Sequence, residues 1–206
     1  MTESVRIVEV GPKRRLAALL LIALLALAGC VSFERAPVSR LSCDTALAGQ
    51  WRAVAMGPSD RPIRVAADCT MQWPEDDGGT YVTRLEGFAL GDQRYLVFTP
   101  DVADRLMSAE GDIRRRATPG SVLLARYRVD GDEARVWLAD LEELRRFPLE
   151  GGARLRKVDD SFLHVEGGRR AIGKLLDAHG ERVFAGSTDG KGALQLRRVP
   201  AAEAAP

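Results

Sequence analysis

Two histidines, His164 and His179, and three cysteines, Cys30, Cys43 and Cys69, are the rarest reactive side chains in the sequence. Nucleophile–base catalysis needs a Ser, Thr or Cys beside a histidine that a third group orients. His164 alternates with Leu163 and Val165 as a strand residue would, and His179 ends an apolar stripe of helical spacing. Both fit structural positions, and no Gly-x-Ser-x-Gly turn accompanies them. A zinc site of two cysteines and two histidines would need paired ligand spacing that these histidines lack. Residues 185–192 carry the glycines and lysine of a phosphate-binding loop, but Ala185 stands at the first required glycine and Gly192 where a hydroxyl would hold magnesium. Asp130, Asp132 and Glu133 start like a calcium loop, yet Arg135 occupies the position where glycine makes the turn. Asp76-Asp77-Gly78-Gly79 reads as a solvated turn, Glu142-Glu143 beside Arg145-Arg146 as a charged surface turn, and Arg114-Arg115-Arg116 as a solvated loop without the interleaved aromatics of a nucleic-acid surface. The expectation is a chain with no catalytic residue, no metal site and no cofactor, and with no nucleic-acid partner.

The elements that would position any site are short. Apolar alternation broken by Gly, Asp and Pro runs over residues 50–56, 63–67, 70–73, 80–89, 93–99, 122–129, 134–141, 161–166, 181–187 and 193–199, the mark of many antiparallel strands. Asp130-Gly131 between two alternating runs predicts a hairpin, and Gly91-Asp92 and residues 189–192 predict two more. Leu123, Ala125, Tyr127 and Val129 share one strand face, and Arg126 and Arg128 share the other. Residues 101–109 and 169–179 have helical spacing, the second placing Ile172, Leu175, Leu176 and His179 on one stripe with Gly180 as a stop. A mainly β fold follows: an antiparallel barrel with one or two short helices, or alternatively a two-sheet sandwich. In a barrel, Tyr127, Val129, Val136 and Leu138 would face inward, either lining a ligand cavity or filling a solid interior. Trp137 takes the opposite face, either under a helix or exposed to a partner.

The amino terminus supplies an address. Lys13-Arg14-Arg15, the fourteen apolar or small residues 16–29 and a small-residue ending read as an export signal, too short to span a bilayer, which takes about 20 apolar residues. Leu27-Ala28-Gly29-Cys30 resembles the lipobox of bacterial lipoproteins, which implies a lipid thioether on Cys30 and cleavage before it. In the sorting rule of that family, Val31 rather than aspartate after the cysteine implies the outer membrane, facing the periplasm. The expected organisation is a signal over 1–29, a lipidated tether over 30–42, a β-rich domain over 43–199 and a disordered tail over 200–206. Past the signal, 26 Lys plus Arg face 27 Asp plus Glu, so membrane attachment would come from lipid and not from net charge. Cys43 and Cys69 remain as a pair in an oxidising compartment, and a disulfide between them is expected.

Gly49-Gln50-Trp51, preceded by Leu47, resembles the Gly-x-Trp entry of lipocalins. The resemblance implies an eight-stranded barrel whose tryptophan closes one end beneath an arginine of the last strand, here Arg197 or Arg198. Two features depart from that family: Gly190 follows Thr188-Asp189 where an aromatic residue would stand, and the second helix precedes the final strands. Together these readings describe a cell-envelope lipoprotein with a non-catalytic barrel that binds an apolar small molecule or an envelope component. The alternatives are an assembly protein acting through a protein–protein surface and an envelope enzyme of unrecognised class.

Overall fold

A computed structural model of the chain describes residues 29–54, 61–75, 77–107, 112–146, 148–149, 151–184 and 193–200. Its alternating segments form β2 (Gly49–Ala53), β3 (Ile63–Val65), β4 (Thr70–Pro74), β5 (Thr80–Arg84), β6 (Glu86–Leu90), β7 (Gln93–Phe98), β8 (Leu123–Asp130), β9 (Glu133–Leu138) and β12 (Ala193–Arg198). These nine strands make one sheet in the order β5-β4-β3-β2-β12-β9-β8-β7-β6, antiparallel throughout. The sheet's two terminal members, β5 and β6, are consecutive in the chain and separated only by Leu85. One bent strand therefore pairs with β4 by its first half and with β7 by its second, and the sheet curls into a nearly closed, lipocalin-like barrel. Curling in this way leaves little strand edge unpaired.

A smaller sheet stands outside the barrel in the order β1-β11-β10, made of β1 (Cys30–Phe33), β10 (Arg154–Lys157) and β11 (Phe162–Glu166), with β1 parallel to β11. This corrects the tether expected over 30–42, because Val31, Ser32 and Phe33 are buried. Phe33 also exchanges two backbone hydrogen bonds with Val122, at 2.7 and 2.8 Å, which fastens the small sheet to the barrel wall. A four-residue strand whose partners lie about 130 residues away leaves no local periodicity to read.

Four helices complete the described residues: α1 (Pro100–Leu106), α2 (Asp112–Arg116), α3 (Leu141–Arg146) and α4 (Arg169–Val183). Helix α4 continues through Gly180 and takes up residues 181–183, where a strand was expected. Gly180 is a packing glycine and not a stop, since a Cβ there would overlap the buried hydroxyl of Tyr95. Arg114-Arg115-Arg116 and Glu142-Glu143 lie on helices α2 and α3 instead of in loops. Each of those helices is started by a carboxylate: Asp104 accepts from the amides of Ile113 and Arg114, and Asp140 from those of Glu142 and Glu143. The hairpin at Asp130–Glu133 forms as expected, with Gly131 at φ 58°. The expected turn over 189–192, the phosphate-loop comparison over 185–192 and signal residues 1–28 lie outside the described residues, as does the tail beyond Pro200.

Apolar side chains collect in two main places. One cluster fills the barrel around Trp51, Met71, Leu96 and Tyr127. The other lies between the barrel's outer wall, the small sheet and α4, around Phe33, Tyr95, Leu124, Leu163 and Phe184. Trp137 packs against this outer cluster, with the Arg126 guanidinium 5.0 Å above its ring.

Candidate functional site

The two ends of the barrel differ. One is sealed by the segment entering β2, where Thr45–Leu47 form a 3-10 turn started by the Asp44 carboxylate, which accepts from the Ala46 amide at 3.0 Å. Trp51, in the middle of β2 and 1% exposed, donates its ring N–H to the Leu47 carbonyl at 2.7 Å. The guanidinium of Arg198, from the last strand, lies 4.2 Å from the centre of the Trp51 ring. It also donates to the carbonyls of Ala48 and Ala46, at 2.6 and 3.3 Å. A planar cation over an indole face is attracted by the ring quadrupole. Of the two arginines named from sequence, Arg198 takes this position. Arg197 is mostly exposed beside Glu133. Gly49, at φ 135°, is required twice over, because a Cβ would also overlap the Arg198 guanidinium.

Behind Trp51 a polar group completes the floor. The Tyr127 hydroxyl donates to the Asp44 carboxylate at 2.6 Å, and Arg94 donates to the same oxygen at 2.7 Å. Burial drives the Tyr127 pKa well above its ordinary value, and the neighbouring carboxylate drives it further, so the hydroxyl keeps its proton. Burial also works against ionised Asp44, but the hydrogen bonds from Tyr127, Ala46 and Arg94 outweigh it and hold the carboxyl below its usual range. Cys43 and Cys69 form the expected disulfide, which ties the floor segment to the β3–β4 turn.

At the other end the inner face stays apolar but is only half-buried. Trp73, Phe98, Val136 and Leu196 are half-buried on strands, and Leu106 joins them from α1. Leu138, on the face of Val136, is 44% exposed, whereas Val54, two residues after the outward Arg52, is exposed on the outer wall. Arg105 of α1 lies 5.9 Å over the Tyr81 ring and pairs with Glu75, pinning the helix against this rim. Of the four candidate lining residues, Tyr127 is buried low in the barrel with its hydroxyl committed to Asp44. Val129 and Val136 are half-buried against the inner cluster. Leu138 shares the face of Val136 and stands at the rim. Trp73, Phe98 and Leu106 were not singled out from sequence, because membership of one rim depends on how three distant segments meet.

The histidines take different positions. His164 on β11 is 2% exposed, and its Nδ1 lies 2.9 Å from the Ser32 hydroxyl of β1. Burial, with Arg156 adding to it, lowers the His164 pKa and favours the neutral ring. A Ser–His pair has the composition of a nucleophile and base, but Ser32 has no exposed surface, so this pair offers a substrate no approach and joins two strands instead. His179 is half-buried on α4. Cys30 is not part of the disulfide, is partly exposed and opens β1. Its amide donates to the Ser161 carbonyl at 2.8 Å. Among the described residues no cluster of three or more His, Cys, Asp or Glu could hold a metal ion. No helix among them is long and apolar enough to cross a membrane. Neither a protein-family model, nor a curated protein, nor a solved structure matches this chain.

Proposed function

We propose that this chain is a cell-envelope lipoprotein, anchored through lipid on Cys30, whose barrel binds an apolar small molecule without transforming it. The observation that carries the reading is the asymmetry of the barrel interior: Trp51, Arg198 and the 3-10 turn seal one end, while Trp73, Phe98, Val136, Leu138 and Leu106 offer a half-exposed apolar lining at the other. A cup of this kind suits a ligand that gains by leaving water, with few polar groups to fix its orientation. The anchor reading is supported by the lipobox-like ending at Cys30 and by the exclusion of that cysteine from the disulfide. Val31 supports the outer membrane as the destination.

The cup is tested with the dye N-phenyl-1-naphthylamine, whose emission rises in apolar surroundings. The protein is the chain from residue 30 with Cys30→Ser, exported to an oxidising periplasm. The start at residue 30 keeps β1. Saturable dye binding at one site, weakened by Leu138→Lys with the fold retained, is the expected result. Dye binding that neither saturates nor responds to Leu138→Lys contradicts the reading.

A further inference from the structure

We infer that the open end of the barrel faces the bilayer, so that its apolar ligand enters from the membrane and not from the aqueous periplasm. The inference rests on the proposed lipid anchor at Cys30 and goes on to say where that anchor holds the barrel. Cys30 is not at the end of a flexible arm. It is the first residue of β1, paired with Phe162 and hydrogen-bonded by its amide to Ser161. An N-acylated cysteine still carries one amide hydrogen, so the bond to Ser161 survives acylation. Lipid on the Cys30 sulfur would therefore emerge directly from the folded domain.

The point of emergence lies beside the open rim. Cys30 packs in an apolar cluster with Ala103 of α1, Ile113 of α2, Leu123 at the start of β8, Phe162, and Phe98 and Met107 at its margin. Phe98 belongs to this cluster and to the barrel interior alike, so the anchor and the open end share a wall. The sealed end is at the opposite limit of strands of six residues, about 20 Å away. Acyl chains emerging at Cys30 would thus hold the rim against the bilayer with the Trp51 floor turned away.

The rim has the surface for that contact. Among the described residues the exposed large apolar side chains are Val54, Val82 and Leu138; Leu138 stands at the open end on the inner face, and Val54 follows β2 near the same end on the outer wall. Arg114 and Arg115 are exposed on α2, the helix whose Ile113 packs in the Cys30 cluster, and pair with Asp101 and Asp112. The occupant of this face is a phospholipid surface, because the proposed lipid on Cys30 would bring a bilayer to it.

The experiment uses the full chain, lipidated in a diderm bacterial host and reconstituted into phosphatidylethanolamine and phosphatidylglycerol vesicles. Single cysteines labelled with bimane are placed at the rim (Val54→Cys) or on the turn at the sealed end (Asp92→Cys), and nitroxide-labelled lipid is added as quencher. Both sites are exposed. Loss of bimane emission at residue 54 with emission kept at residue 92 is the expected result. Vesicle-bound protein with neither label quenched, or with only residue 92 quenched, overturns the orientation and leaves the anchor standing. Failure of the protein to float with the vesicles overturns the anchor and this inference with it. Quenching at residue 54 that persists when Cys30→Ser protein is merely mixed with vesicles would show that the rim itself has membrane affinity, which also supports the orientation.

Discussion

Replacing both half-cystines, Cys43→Ala with Cys69→Ala, should cost the domain more than any surface change, and the cost can be worked from the structure. The bond closes a loop of sequence separation 26. In the chain-entropy model a loop of that size restrains the unfolded chain by about 3.5 kcal/mol. Cys69 has no exposed surface, so losing its sulfur leaves a small void that adds about 1 kcal/mol. The sum is about 4.5 kcal/mol, which at a urea slope of about 2 kcal/mol/M moves the unfolding midpoint down by about 2 M. The assay is urea denaturation of the Cys30→Ser chain and of the triple variant, followed by far-ultraviolet circular dichroism and by tryptophan emission. The two probes separate two effects. Circular dichroism reports global stability, whereas with Trp73→Phe and Trp137→Phe in both chains the remaining Trp51, held by the Leu47 carbonyl of the tethered floor, reports that floor. Tryptophan emission should therefore change at urea concentrations no higher than the dichroism does. A midpoint shift below about 0.5 M with an unchanged slope would refute the reasoning, because it would mean that the floor is held without the covalent tie.

Other outcomes follow from the same contacts. Arg198→Ala removes the cation over Trp51 and the donors to Ala46 and Ala48, and should destabilise the fold by about 2 to 4 kcal/mol. Arg197→Ala, at an exposed position one residue earlier, should stay within about 0.5 kcal/mol, and thermal denaturation separates the two. Leu138→Lys should weaken apolar-dye binding while changing stability by less than about 1 kcal/mol, since the side chain is already 44% exposed. His164 has a folded pKa lowered chiefly by burial, so the unfolded chain takes up its proton first as pH falls. Its contribution is complete above the unfolded pKa of about 6.5 and declines from there down through the folded value, and His164→Gln should flatten stability measured across that interval.

What the sequence disclosed followed the range of the physics behind it. Period-two alternation is a local property, so the strands of the β8–β9 hairpin and the face shared by Leu123, Ala125, Tyr127 and Val129 were readable without a structure. The barrel floor was anticipated only through the resemblance of Gly49-Gln50-Trp51 to the lipocalin entry, which implied an arginine of the last strand over the tryptophan. The choice between Arg197 and Arg198 required the register, in which Arg198 lies directly opposite Trp51. Strand β1 was not readable, since the burial of residues 31–33 depends on β11 and on Val122, both far along the chain. Gly180 misled for a related reason: glycine after an apolar stripe signals a stop locally, and only the Tyr95 hydroxyl packed against it explains its place within α4. Helices α2 and α3 were hidden in charge runs because each owes its start to a capping carboxylate, and for α2 that carboxylate, Asp104, comes from the preceding helix.

The central claim is that the barrel is a cup for an apolar ligand, and native mass spectrometry of the chain from residue 30 with Cys30→Ser, purified from an oxidising periplasm without detergent, tests it most directly. A discrete added mass, lost in Leu138→Lys and kept in Arg197→Ala, is the predicted result. A bare mass for the parent chain, unchanged after incubation with an extract of envelope lipids, would contradict it.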